Sequence, residues 1–327
     1  MKRLLKFSFF IFLYSLGTLF LCESLQAQNN ELLGSYKIGY VGKDFESTKN
    51  KAIYSGIKAA TKNLGKKLSI DVETLVFCKT DPLTNKPQTK AIKNSFLKNV
   101  DGIIISPSEE ESLLPVLKLT QDFGKEIIFL ESELKSIEPL IFIKADEFSA
   151  GSKLATAILK KLPTSGRIAI LSANKNSYLL KERMRGIKST LGYKRIETII
   201  YTHKNYQDAV KAIKKAQDAD KDNFIKGWIF LDDWALRGMP DLPWDIGQMP
   251  LATLQSSAIT NHFYDIGYIN SMVIHPYYEW GYEAAKAMIE KLHKNELPLK
   301  KTIELAPILI NRDNYQSYKG KWKSWLK

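Results

Sequence analysis

The chain has 327 residues, 44% of them hydrophobic, and carries 48 lysines and arginines against 35 acidic residues, a net charge of +13. That length is ample for two domains with cores of their own. Only Cys78 lies beyond the N-terminal apolar run that ends at Cys22, which argues against an intrachain disulfide, a CxxC pair and a metal-type Cys/His cluster in the mature chain.

In chain order, Lys2, Arg3 and Lys6 precede an apolar run from Phe7 to Leu21, and Leu25-Gln26-Ala27 offers a cleavage site. This is the order of a secretory signal, so residues 1–27 are expected to direct export and then be removed. An uncleaved anchor and a lipoprotein at Cys22 are the alternatives, although Leu21 stands where a lipobox wants a small residue. Losing three bases and one acid with the leader leaves the remainder strongly basic. Lys58, Lys62, Lys66 and Lys67, and later Lys211, Lys214 and Lys215, fall along amphipathic segments. Such spacing fits solvated helix faces better than a nucleic-acid-binding arm, and leaves attraction to an acidic surface open.

From Tyr36 onward, apolar runs of strand length alternate with helical stretches, the pattern of parallel sheets covered by helices. The first strand series is 37–41, 71–77, 102–106, 126–130 and 141–144. A second comprises 167–172, 198–201, 227–231 and 251–254, and two sheets fit these better than one. Helices are expected over 51–64, ended by Gly65, over 148–162, stopped by Pro163, over 179–191, ended by Gly192, and over 282–292. No flexible linker divides the halves, and the join near Lys144 to Glu147 suggests a hinge of several strands.

Five segments in this order carry a resemblance: IGYVGKDFESTKNKAIYSGIKAATKNLG, VDGIIISPSEEESLLPVLKLTQDFGKEIIFLES, KERMRGIKSTLG, GWIFLDDWALRG and VIHPYYEWGYEAAKAMIEKL. Together they resemble the type I periplasmic binding proteins, which include ribose- and galactose-binding proteins and the ligand-sensing core of the lac repressors. The resemblance runs from about Tyr36 to Tyr318. It implies an α/β fold of two Rossmann-like three-layer αβα domains joined by a multi-strand hinge. The N-terminal lobe would hold residues 36–145 plus 276–306, and the C-terminal lobe residues 146–275 plus 307–318. Gly281 would sit at the start of a helix. The repressors begin with a DNA-binding helix-turn-helix, whereas this chain begins with an export signal, so the comparison points to a periplasmic receptor that binds no nucleic acid.

Ligands of open α/β sheets sit at the carboxyl ends of the strands. By the resemblance, Lys43, Asp44, Phe45 and Ser47 belong to the first binding loop, and Glu131 and Ser132 stand where sugar binders place Asp-Arg. Lys181 and Arg183 stand at a basic contact, Tyr206 at an aromatic one, Asp232 at an acidic or amide one, Gln255 at a second acid and His275 at a hinge amide. Carboxylates accepting from sugar hydroxyls and a guanidinium donating back explain why such residues grip sugars. Each also has a plainer reading: a solvated strand-end carboxylate for Glu131 and Asp232, a surface ion pair for Arg183, core packing for Tyr206, a structural turn beside Pro276 for His275. Lys181 lacks Arg's bidentate fork. Lys49 and Asn50 occupy positions where the family loop often has aromatic rings, and Gln255 replaces an acid, which sets ribose and galactose themselves in doubt.

The sequence contains no serine-nucleophile elbow, P-loop, HExxH or dinucleotide fingerprint, and its four histidines are dispersed. The Asp232-Asp233 pair invites a general acid/base reading, but neighbours at a strand end point apart, so one would face ligand and the other cap the next helix. The expectation is a monomeric, cofactor-free binding protein for a sugar-like molecule that docks on an ABC-type permease. A membrane sensor is the alternative partner, and an exported hydrolase the alternative class.

Overall fold

The computed structural model describes residues 32–42, 47–77, 87–108, 110–173, 175, 177–203 and 205–326. The expected leader, Cys78, and the loop residues Lys43, Asp44 and Phe45 lie outside them. The first series comprises strands β1 (Ser35–Val41), β2 (Asp71–Val76), β3 (Gly102–Ile105), β4 (Glu126–Leu130) and β5 (Ile141–Ala145). Helices α1 (Thr48–Leu68), α2 (Pro87–Leu97) and α3 (Glu110–Asp122) connect them. The second series holds α4 (Glu147–Leu159), β6 (Arg167–Ser172), α5 (Tyr178–Leu191), β7 (Ile196–Tyr201), α6 (Tyr206–Ala219), β8 (Ile225–Phe230), β9 (Leu251–Leu254), α7 (Ala258–Asp265) and β10 (Ser271–Ile274). Then follow α8 (Tyr277–Lys294), β11 (Thr302–Leu305), β12 (Ile308–Ile310) and α9 (Tyr315–Trp325).

Two six-stranded sheets result, in the orders β2-β1-β3-β4-β5-β11 and β7-β6-β8-β9-β10-β12. Every pairing is parallel except β10 with β12. Helices cover both faces of each, so strands such as Ile103–Ile105 and Ile127–Leu130 are buried throughout. Alternate residues feed opposite cores. In the N-terminal lobe Ile104 and Ile128 pack with Ile53 and Trp280 on one face, while Ile103 and Ile127 pack with Ile92 and Leu117 on the other. The C-terminal lobe repeats this, with Ile170 and Ile229 beside Leu154 and Ile187, and Leu171 and Phe230 beside Ile213 and Trp322. Among the described residues the chain passes between the sheets after β5, after β10 and after β11.

Two glycine readings need correction. Helix α1 does not end at Gly65; it runs to Leu68, where Ser69 takes the left-handed conformation (φ 53°) and donates its N–H to the Gly65 carbonyl. Likewise α8 begins at Tyr277 beside Pro276, so Gly281 lies within the helix. A Cβ there would stand 1.9 Å from the Ile53 carbonyl oxygen, and one at Gly56 would stand 1.9 Å from that of Tyr278. The two glycines let α1 and α8 touch backbone to backbone. Gly151 and Gly186 do the same for α4 and α5 in the other lobe. Strands β10, β11 and β12 were not among the expected ones; β11 and β12 lie at the sheet edges and are buried only in part.

Candidate functional site

The ends of β4 and β9 face one another across the cleft between the lobes, in matching conformations. Glu131 follows β4 with φ 68° and donates its N–H to Ile143 O on β5 (2.8 Å). Gln255 follows β9 with φ 76° and donates to Val273 O on β10 (2.8 Å). Since β4 and β9 hold equivalent places in their sheets, the two side chains are structural counterparts. Both line a cavity of about 480 Å³ shared by the lobes. Left-handed backbone in residues other than glycine is uncommon and clusters at ligand sites, where it aims a side chain.

Around them the N-terminal lobe contributes Ser47 and Lys49 at the start of α1. Ser47 caps that helix, its hydroxyl accepting from the Asn50 N–H. Lys49 forms an ion pair with Glu131, each side chain about one quarter exposed, and its ammonium lies over the Tyr277 ring. The C-terminal lobe contributes Asp232, Arg237 and Ser256. Burial, then the charge of Asp233, push the Asp232 carboxyl above its ordinary pKa, and Arg183 only partly opposes them. Its neighbour has a different task. Asp233 is fully buried, accepts from Arg237 Nη2 (2.6 Å) and Nε (3.1 Å), and accepts from the Thr260 hydroxyl (3.1 Å). It stands at the start of the 3-10 turn Trp234–Leu236, but its side chain makes no capping bond there. Burial, then the nearby Glu131 charge, raise the Tyr277 hydroxyl well above the usual tyrosine range.

His275 sits at the hinge, 4% exposed, its ring stacked on Trp280 (5.9 Å between centroids). Its Nε2 is 3.4 Å from Glu147 Oε1, an ion-pair distance without hydrogen-bond geometry, and neither ring nitrogen has a hydrogen-bond partner among the described residues. A second cavity, of about 910 Å³, borders the first through Glu131 and His275 and is lined by Ser132 and Glu147.

The structure thus brings Ser47, Glu131, Asp232, Gln255 and His275 together and sets Ser132 beside them. The other described candidates lie apart from the first cavity. Arg183 is buried at 6% exposure, donates from Nε (2.5 Å) and Nη2 (2.8 Å) to Glu147, and from Nη1 to Leu231 O (2.8 Å). Burial alone would raise the Glu147 pKa; the hydrogen bonds and charge of Arg183, with His275 close by, outweigh it and bring it down from 4.5 to about 2. Lys181 is exposed and lines a separate cavity with Lys175 and Lys188. Tyr206 packs against the C-terminal core beside Gly238.

Sequence reading passed over several lining residues. Lys49 stands in the sequence only as a departure from aromatic character, and Arg237 follows Asp233 by one helical turn in a segment marked by its acids. Tyr318, Trp322 and Trp325 of α9 also line the cavity; their signal was present as aromatic residues at i, i+4 and i+7 near the C-terminus.

Among the described residues no cluster of three or more His, Cys, Asp or Glu could hold a metal ion, and no helix is long and apolar enough to cross a membrane. A family model described as a periplasmic binding protein domain matches residues 38–296. Among solved structures, a periplasmic ribose ABC transporter protein from Conexibacter woesei is 18% identical with a TM-score of 0.73, over 90% of this chain and 99% of that one. AraP, an arabinose-binding protein from Geobacillus stearothermophilus, is 17% identical with a TM-score of 0.74, over 87% and 99%. A LacI-type transcriptional regulator from Bacteroides fragilis is 12% identical with a TM-score of 0.63, over 87% and 99%. No curated protein matches the chain.

Proposed function

Because the chain belongs to the periplasmic binding protein family, we propose that it is an exported receptor that closes its two lobes around a sugar or sugar derivative and hands it to an ABC-type permease. The observation that carries this reading is the convergence of Glu131 and Gln255, from equivalent strand ends of the two lobes, on one cavity with Asp232 and Arg237. Two carboxylates accept from hydroxyls, a guanidinium donates, and an amide does both, which suits a polyhydroxylated molecule better than an apolar or singly charged one. A ligand touching both lobes favours the closed state by its differential affinity, and a membrane partner can read that shape. The ribose- and arabinose-binding names of the neighbours support sugar as the ligand class and a permease as the recipient. Nothing in this account asks the site to break a bond: Asp233, the nearest carboxylate to Asp232 in sequence, is occupied by Arg237 and Thr260.

The test is a thermal-shift screen of the mature chain against aldopentoses, aldohexoses and sugar acids, repeated with Glu131→Ala and Asp232→Asn. A sugar at a hundredfold excess over its Kd should stabilise the fold by about 2.7 kcal/mol. Both substitutions should abolish the shift without lowering the unliganded melting temperature appreciably. If no sugar moves wild type, the sugar reading is wrong.

A further inference from the structure

The C-terminal helix α9 lies outside the part of the chain that the family model matches, which ends at residue 296. Tyr315, Tyr318 and Trp322 anchor it in the C-terminal core, all less than 10% exposed. Trp325 continues the same stripe three residues on, edge-on to Tyr318 of that core, and also reaches the other lobe. Its ring stacks on Tyr278 of α8 (5.8 Å between centroids, planes 18° apart), and its carbonyl accepts from the Ser55 hydroxyl of α1 (3.4 Å). The helix therefore spans the two lobes, and along its span Tyr318, Trp322 and Trp325 border the cavity that holds Glu131, Asp232 and Gln255.

We propose that α9 is the aromatic wall of the ligand site, with Trp325 and Trp322 presenting apolar ring surface to the C–H face of a cyclic sugar whose hydroxyls meet the carboxylates and amide. The inference rests on the sugar reading and adds to it which form of sugar is chosen. Glu131, Asp232, Arg237 and Gln255 address hydroxyls and would hold an open-chain polyol as readily as a ring. A flat indole rewards only a ligand with a flat, contiguous C–H face, so discrimination between the two falls to the helix. Since Trp325 rests on the N-terminal lobe while its helix is rooted in the other, the wall is complete only when the lobes are together.

The experiment measures binding of D-ribose, D-arabinose, D-glucose and D-galactose, and of ribitol, sorbitol and galactitol, to the mature chain and to Trp325→Leu and Trp325→Phe. Leucine keeps apolar bulk at this half-buried position and removes the flat ring; phenylalanine restores a ring. The expected result is that wild type prefers an aldose to its alditol, that Trp325→Leu weakens the aldose at least tenfold while changing the alditol less than twofold, and that Trp325→Phe recovers most of the loss. Equal aldose affinity in wild type and Trp325→Leu overturns the wall while leaving the sugar reading in place. A wild-type chain that binds neither aldose nor alditol overturns both.

Discussion

The two lobes share a plan and differ in how they hold charge. Each has the same strand order, a pair of helices meeting through reciprocal glycines, and a left-handed residue after its fourth strand. Yet the Lys49–Glu131 pair of the N-terminal lobe is partly exposed and faces the cavity, whereas Glu147 and Arg183 of the C-terminal lobe are buried and tied to the Leu231 carbonyl. Identical scaffolds therefore put charge to opposite uses. On one side an ion pair lines the cavity; on the other it fastens α5 to the start of α4, and it is Asp232 and Arg237 that line the cavity.

The largest effect that would sharpen this contrast is the loss of Arg183. Arg183→Ala leaves the Glu147 carboxylate buried without its guanidinium and should cost about 3–5 kcal/mol in urea unfolding. A variant as stable as wild type would break the comparison. Acid should act on the same pair. The folded pKa of Glu147 is depressed, so its contribution is full above its ordinary 4.5 and is lost as pH falls through about 2. That loss amounts to roughly 3 kcal/mol, and denaturation curves between pH 5 and pH 2 should show it in wild type and not in Glu147→Gln. The smallest effect belongs to the other lobe: Lys49→Ala should change stability by less than about 1 kcal/mol, as exposed pairs do, while altering sugar affinity. If its stability loss matched that of Arg183→Ala, the division of labour would be wrong.

Much of the scaffold was legible because strands buried on both faces read as unbroken apolar runs, and β4, β6 and β9 fall where that pattern places them. The last three strands were not: β11 and β12 lie at the sheet edges and are only partly buried, so that pattern is missing there. Gly65 and Gly281 misled because a glycine in a helix signals either an end or a close approach, and only the partner helix decides which. Around the cavity, the family resemblance singled out Glu131, Asp232, Gln255 and His275, which line it together. It could not place Lys181 and Arg183 together, because residues two apart on α5 point to nearly opposite sides. One looks out to solvent and the other into the protein. Nor could a comparison that stopped at Tyr318 reach Trp322 and Trp325, although their spacing with Tyr318 is that of a helix face.

The three passages between the sheets follow β5, β10 and β11, and these strands, with β12, make up one edge of each sheet. The molecule is thus bound like a book along a spine, with β2 and β7 at the fore-edge. In such a linkage displacement grows with distance from the spine. Rotation about that spine would displace Glu131 and Gln255, on the third strand in from it, less than groups on β2 and β7. On the proposed reading, contacts near the spine would outlast those farther out as the lobes part, so holding a ligand and reporting the motion would fall to different residues.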